Sequence, residues 1–332
     1  MEPNKTTSLH VLVVSNHWNK GSHANHASIW ADRQITALRA LGVRVSTFDI
    51  GTSHSPLHLL RSWRELRKMV KEVNPDVVHA RYGTLVAFLS VHSGRPSVIT
   101  FAGSDLLVST EVSRMRAHIS HLFSHLACLR ASRIICVSQG LRKRLWWRGD
   151  QALVFPDGVE LDKFVPIPLE QARAKLGWAL DEQVVIMDAL RAPILKGLSF
   201  GQDAIELVKR HYPKARLELI KNISPTDMPT YLSASNVLLC ASSSEGSPNI
   251  VKESLACNLP IVSVAVGDVE ERLQGVVPSR IVPRRAEPMA DAICEILQLS
   301  TRSNGREHVM DLSLDAIARR VKGVYEEVAN RR

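Results

Sequence analysis

The chain lacks any run of about 18 apolar residues, so no transmembrane helix is expected. Its first eight residues are polar and hold no apolar h-region, so no signal peptide is expected. The five cysteines, Cys128, Cys136, Cys240, Cys257 and Cys294, include no pair at C-x-x-C spacing. Four sit in apolar surroundings and read as small core residues of a reducing compartment, which excludes a disulfide frame and a cysteine zinc site. Gly-x4-Gly-Lys-Ser/Thr, His-Glu-x-x-His and Gly-x-Ser-x-Gly are all missing. No P-loop, zincin helix or hydrolase elbow is therefore offered. Acidic residues are scarce in one half only. Residues 1–165 hold 21 Lys and Arg against 12 Asp and Glu, whereas residues 166–332 hold 21 of each, so the first half carries the whole net charge of +9. Such asymmetry fits an anionic partner: membrane headgroups, a phosphorylated acceptor or nucleic acid. Solubility alone is the bland alternative. With no nucleic-acid recognition module in the sequence, lipid explains the charge better than nucleic acid.

What is present is a two-part α/β pattern. A length of 332 residues suggests about two domains. In the first part, short β-branched or apolar runs at 9–15, 43–48, 76–79, 97–101, 133–137 and 152–155 read as strands. Helix-like stretches lie between most of them, including 27–41 and the amphipathic 57–73. Pro156-Asp157-Gly158 makes a turn, and Pro166 and Pro168 stiffen the next segment, so a boundary is placed there. The alternation then restarts, with strands at 183–189, 215–220, 236–240 and 260–264 and helices at 197–211, 249–257, 288–297 and 312–328. Strands alternating with helices predict parallel sheets covered on both faces. The expected division is 1–164, 165–310 and a final helix over 311–332 that returns toward the first domain. Ligands of such sheets bind at the carboxyl ends of the strands, so the cleft between two facing domains is the default site.

The stretch from Ser242 to Cys257 is the most informative. It follows a strand and enters a helix; Ser247 suits the cap and Pro248 the first turn. Such a helix start presents amides and a positive dipole end to a phosphate. Glu245 precedes the helix and Glu253 lies eight residues later on its second turn, so both can accept hydrogen bonds from the hydroxyls of one elongated ligand. Read from these residues alone, a capped surface helix with ordinary acidic residues is the favoured reading.

Glu245-x7-Glu253 resembles the Glu-x7-Glu motif of the retaining GT-B glycosyltransferases of family 4. Asp76–His79, Thr100-Phe101-Ala102-Gly103-Ser104-Asp105, Ile134–Ser138 and Pro156-Asp157-Gly158-Val159 resemble further landmarks of that family in the same order. The run from Glu245 to Asp268 looks most like bacterial members that build exopolysaccharide or teichuronic-type chains. The resemblance implies two Rossmann-like domains facing across a cleft; this chain departs from the family in a shortened C-terminal domain, where 216–220 runs through Lys221-Asn222 almost directly to a helix at Pro225. It also implies transfer of a sugar from a nucleoside-diphosphate donor to a lipid-linked or glycan acceptor, with no cofactor and no metal. Asp-x-Asp, the metal signature of the other large glycosyltransferase fold, does not occur. The resemblance assigns the departing diphosphate to Arg191 and Lys196, the sugar to Glu245 and the backbone after Gly246, and the ribose to Glu253. Gly21, Ser247, Asn249 and Ile250 complete the donor set, and Asp105 orients a hydroxyl. Ala102 stands where many members carry a His. The alternatives kept open are an epimerase or phosphorylase on the same fold and a non-catalytic subunit of a polysaccharide assembly complex.

His118, His121 and His125 share a helical face, but no carboxylate or cysteine joins them, so a solvated face is the expectation rather than a metal site. The stretch from Leu141 to Arg148 combines basic residues with Trp146 and Trp147. It reads either as a membrane interface or as a helix with Leu141, Leu145 and one Trp in the core. A cytoplasmic protein, peripheral at the membrane, is the expected location.

Overall fold

The computed structural model describes residues 9–16, 26–51, 53, 55–107, 114–189, 192–221 and 223–331. The chain divides into two compact units, Met1–Gly158 with Leu314–Arg332, and Val159–Ser313.

In the first unit the strands are β1 His10–Ser15, β2 Arg44–Asp49, β3 Val77–Ala80, β4 Ser97–Phe101, β5 Arg133–Cys136 and β6 Leu153–Val154. They form one parallel sheet in the order β2-β1-β3-β4-β5-β6. β1, β3 and β4 are buried at every position, which is why they read as continuous apolar runs rather than alternating ones. The helix Pro56–Val73 starts at Ser55, whose side chain accepts from the amide of His58, and ends at Asn74 in the left-handed region. It buries Leu66 and Val70, while Arg61 and Lys68 face outward and pair with Glu65 and Glu72 one turn on.

The helix Leu314–Asn330 belongs to this unit. It buries Ile317, Val321, Val324, Tyr325 and Val328 at helical spacing. The Tyr325 hydroxyl shares a 2.5 Å hydrogen bond with His79 Nδ1 on β3, and His79 Nε2 meets Thr100 Oγ1 on β4 at 2.8 Å. Burial, with Arg81 nearby, holds this imidazole's pKa well below the usual range, so it stays neutral between two hydroxyls. At the other end of the helix Glu327 pairs with Arg133.

In the second unit the strands are β7 Gln183–Met187, β8 Ala215–Leu219, β9 Val237–Cys240, β10 Ile261–Ser263 and β11 Arg280–Ile281. The sheet is parallel, in the order β11-β10-β9-β7-β8. The chain runs outward from β7 to β8, then crosses back to place β9 on the other side of β7. The strand order therefore reverses between β7 and β9, where open sheets of this kind make room for a ligand. β11 has two exposed residues and no apolar signal, and the sequence reading does not contain it.

The helix expected over 197–211 is observed as Leu198–Val208, and a short helix that the sequence did not suggest precedes it. This short helix, Pro193–Lys196, stops at Gly197. Gly197 has φ +72°, and a Cβ there would lie 2.5 Å from the Ala241 carbonyl oxygen, so only glycine lets this turn press against the end of β9.

Candidate functional site

Three neighbouring strands of the second unit deliver side chains from their carboxyl ends. β7 leads to Asp188 and Lys196, β9 to Ser242 and Glu245, and β10 to Gly267 and Asp268. Lys196 Nζ donates to Glu245 Oε1 at 2.7 Å and lies 3.6 Å from Asp188 Oδ2. Ser242 Oγ donates to the same Glu245 oxygen at 2.9 Å. Burial alone would lower the Lys196 pKa, but the Glu245 and Asp188 carboxylates outweigh it and raise it above the usual lysine range. The group is a permanent cation at physiological pH. The turn carrying it is braced by Arg284, whose Nε donates to the Ala241 carbonyl at 2.8 Å while its guanidinium lies over the Phe200 ring at 4.8 Å.

Behind this pair runs the helix Asn249–Ala256. Its cap differs from the expectation. Pro248 takes the N-cap position and no side chain caps the helix. Ser247 instead donates to Asp268 Oδ2 at 2.9 Å and accepts from Lys252 Nζ at 3.0 Å. Proline at the cap leaves the first amides of the helix without a side-chain acceptor. Glu253 is buried on the second turn, and Lys252 is completely buried beside it. The Asn249 Oδ1 and Asp268 Oδ1 atoms are buried and have no hydrogen-bond partner. Burial pushes the Asp268 carboxyl up, against the opposing pull of Lys252, Ser247 and Arg272. Gly267, at φ +60°, lies so close to the turn before the helix that a Cβ would sit 2.9 Å from the Gly246 carbonyl oxygen.

Of the residues expected from sequence, Lys196, Glu245, Gly246, Ser247, Asn249, Ile250 and Glu253 all stand along this one turn and helix or directly against it. Arg191 and Gly21 lie outside the described residues. Asp105, in the first unit, corrects its expectation. It has no exposed surface, and its carboxylate accepts from the amides of Gly83 at 2.9 Å, Gly103 at 2.8 Å and Ala102 at 3.0 and 3.2 Å. A carboxylate sealed in this way shapes the 102–105 loop and does not reach a ligand hydroxyl.

Lys252, Gly267, Asp268 and Arg284 were missed. Lys252 alone had a visible signal: a lysine between Val251 and Ser254, on a face that the apolar spacing places inside. Among the described residues no group of His, Cys, Asp and Glu is arranged to hold a metal ion. His125 stacks flat on Trp146 at 3.9 Å.

The arrangement offers a fixed cation, a helix start with amides not capped by a side chain, and buried oxygen acceptors at Asn249 and Glu253, about 6 Å apart along the helix at 1.5 Å per residue. It suits an elongated anionic ligand that also carries hydroxyls.

Residues 9–163 match the family model described as Glycosyltransferase Family 4, and residues 185–299 match Glycosyl transferases group 1. Among curated proteins, a Bacillus subtilis (strain 168) protein named for a glycosyltransferase of teichuronic acid biosynthesis, TuaC, is 28% identical over 249 residues, 67% of this chain and 61% of TuaC. The chain thus spans less than two thirds of the length of the curated relatives it matches first. Among solved structures, a sucrose-phosphate synthase from Thermosynechococcus elongatus superposes with TM-score 0.78 at 20% identity, covering 98% of this chain and all of that one. Anabaena Alr3699/HepE, in complex with UDP and glucose, gives 0.72 at 14% identity, covering 96% and 100%. These likenesses establish the fold, a pair of parallel-sheet α/β domains of the GT-B type.

Proposed function

We propose, from the premise that this chain belongs to the family-4 type of GT-B glycosyltransferases, that it moves a sugar from a nucleoside-diphosphate donor to an acceptor hydroxyl. The setting is the synthesis of a cell-surface polysaccharide or glycolipid. The observation that carries this reading is the Lys196–Glu245 pair at the β7/β9 switch point, with Glu253 buried in the helix behind it. When a donor enters, Lys196 turns from Glu245 to the diphosphate, whose charge grows as the sugar leaves. The uncapped amides before and within the first turn of the helix hold the other phosphate oxygens. Glu245, released from the lysine, accepts from sugar hydroxyls, and Glu253 accepts from the ribose.

Transfer proceeds with retained anomeric configuration, the departing phosphate taking the acceptor proton on the face where the sugar was held. No metal or other cofactor is required, because Lys196, together with Arg191, supplies the countercharge. Both matched models are of transferases, which favours transfer over epimerisation. We further place the protein at an anionic membrane surface, on the strength of the +9 charge confined to the first half. No helix among the described residues is long and apolar enough to cross a membrane.

A thermal-shift screen of nucleoside diphosphates and their sugars tests the donor. A ligand present at about 100 times its Kd stabilises the native state by about 2.7 kcal/mol. At least one nucleoside diphosphate should raise the Tm by several degrees, while the matching nucleoside without phosphate should not. A flat response across the whole panel would remove the donor reading.

A further inference from the structure

The helix Arg114–Arg130 has apolar residues on two opposite sides. One side, with Ala117, Ala127 and Cys128, is buried in the first unit. The other is a stripe of Met115, Ile119, Leu122, Leu126 and Leu129, spaced four, three, four and three residues apart. At 3.6 residues per turn such a stripe fills an arc of only about 80°. Four of the five are exposed, Met115 at 71% and Leu129 at 53%. The stripe continues into an aromatic pair. Trp146 stacks on His125 of this helix and meets Trp147 edge-on at 5.8 Å; both Trp side chains are exposed, so neither fills the core, as Leu141 and Leu145 do. Scattered surface apolar residues need no explanation, but a continuous stripe joined to two tryptophans does.

The charge around it selects the occupant. Residues 112–149 contain eight Lys and Arg and not one Asp or Glu. Arg130, Lys143 and Arg144 are exposed. On the helix Pro56–Val73, by contrast, Arg61 and Lys68 are paired with glutamates. A second copy of this chain would set two faces of one sign against each other across a twofold axis. An anionic bilayer offers both what the stripe and what the cations want: acyl chains beneath a negative surface.

We infer that this face docks on an anionic lipid bilayer. The helix Arg114–Arg130 lies in the plane of the interface with its stripe at the acyl boundary, Trp146 and Trp147 sit at headgroup depth, and Lys143 and Arg144 rest on the lipid phosphates. The inference rests on the peripheral placement proposed above and assigns the surface that achieves it.

Sedimentation with vesicles tests it, using phosphatidylcholine alone and equal parts of phosphatidylcholine and phosphatidylglycerol. The unaltered protein should pellet with the mixed vesicles and stay in solution with the neutral ones. Ile119→Glu combined with Leu122→Glu changes two exposed side chains, and its melting temperature should match that of the unaltered protein. It should lose at least about tenfold in partitioning to the mixed vesicles. Lys143→Gln with Arg144→Gln should weaken binding and make it less sensitive to salt. If the unaltered protein pellets and the Glu double variant pellets equally, the stripe is not the docking face, although the peripheral placement stands. Absence of binding to either vesicle overturns both. A dimer in solution that the Glu double variant dissociates gives the face to a second copy and overturns the inference.

Discussion

Lys196→Ala is expected to slow the chemical step by about 100- to 1000-fold, the usual loss when one preorganised group stabilising transition-state charge is removed. Donor affinity should fall much less. The reason lies in when the charge appears. In the bound donor the diphosphate charge is shared with the sugar linkage; at the transition state it collects on the leaving oxygen, and a fixed cation gains most there. Lys196 is suited to this because Glu245 and Asp188 hold it as a cation before the donor enters, in spite of its burial, and the diphosphate then takes the place of Glu245. It also sits on a turn that cannot drift, since Gly197 packs on Ala241 and Arg284 ties that turn to the end of β9. Single-turnover rates set beside donor Kd values separate the two effects. Lys196→Arg, which keeps the charge on a different shape, should recover part of the rate. If affinity collapses while the bound-state rate is unchanged, the lysine is only a ground-state clamp and its role in the mechanism is wrong.

Glu253→Ala should weaken nucleoside diphosphate binding by about 10- to 150-fold, the equivalent of a charge-assisted hydrogen bond of about 1.5–3 kcal/mol. Glu253 is buried on the second turn of Asn249–Ala256, so the Ala variant also leaves a small cavity and is expected to melt lower. Glu253→Gln keeps the volume and removes only the charge, and it should retain the melting temperature while still losing affinity. Titration calorimetry on both variants reads this directly. Full affinity in Glu253→Gln, with the fold intact, would take the ribose away from this residue.

The strands of both sheets, apart from β11, were legible because their signal is local, whereas their order within each sheet was not. A run such as His-Val-Leu-Val-Val-Ser can be buried on both faces only as a central parallel strand, and so it reads correctly without its neighbours. The Glu245–Glu253 stretch was legible for the same reason: strand, turn and helix follow one another in sequence. What failed to show was set by contacts between distant segments. Ser247 looks like a cap from its position, yet Asp268, 21 residues away, claims its hydroxyl. The short helix Pro193–Lys196 was not foreseen, and its stop at Gly197 is pressed against the Ala241 carbonyl, which no window around Gly197 contains. Asp105 looked like a ligand-binding carboxylate because the 100–105 loop resembles the family's acceptor-side glycine loop. Three backbone amides, one of them from Gly83, account for it instead. The stripe on Arg114–Arg130 was present in the sequence as 4-3-4-3 spacing, but the histidines on the same helix drew the reading elsewhere, and spacing alone does not tell which apolar side is buried.

The central claim is that the donor binds to the second unit along the turn and helix from 242 to 256. Hydrogen exchange read by mass spectrometry, with and without a nucleoside diphosphate that raises the Tm, addresses it most directly. Peptides covering 192–197 and 242–256 should gain protection on binding, with the first turn of Asn249–Ala256 among the most affected, because its amides take up phosphate oxygens. Protection confined to the first unit, with the 242–256 peptides exchanging as before, would contradict the account.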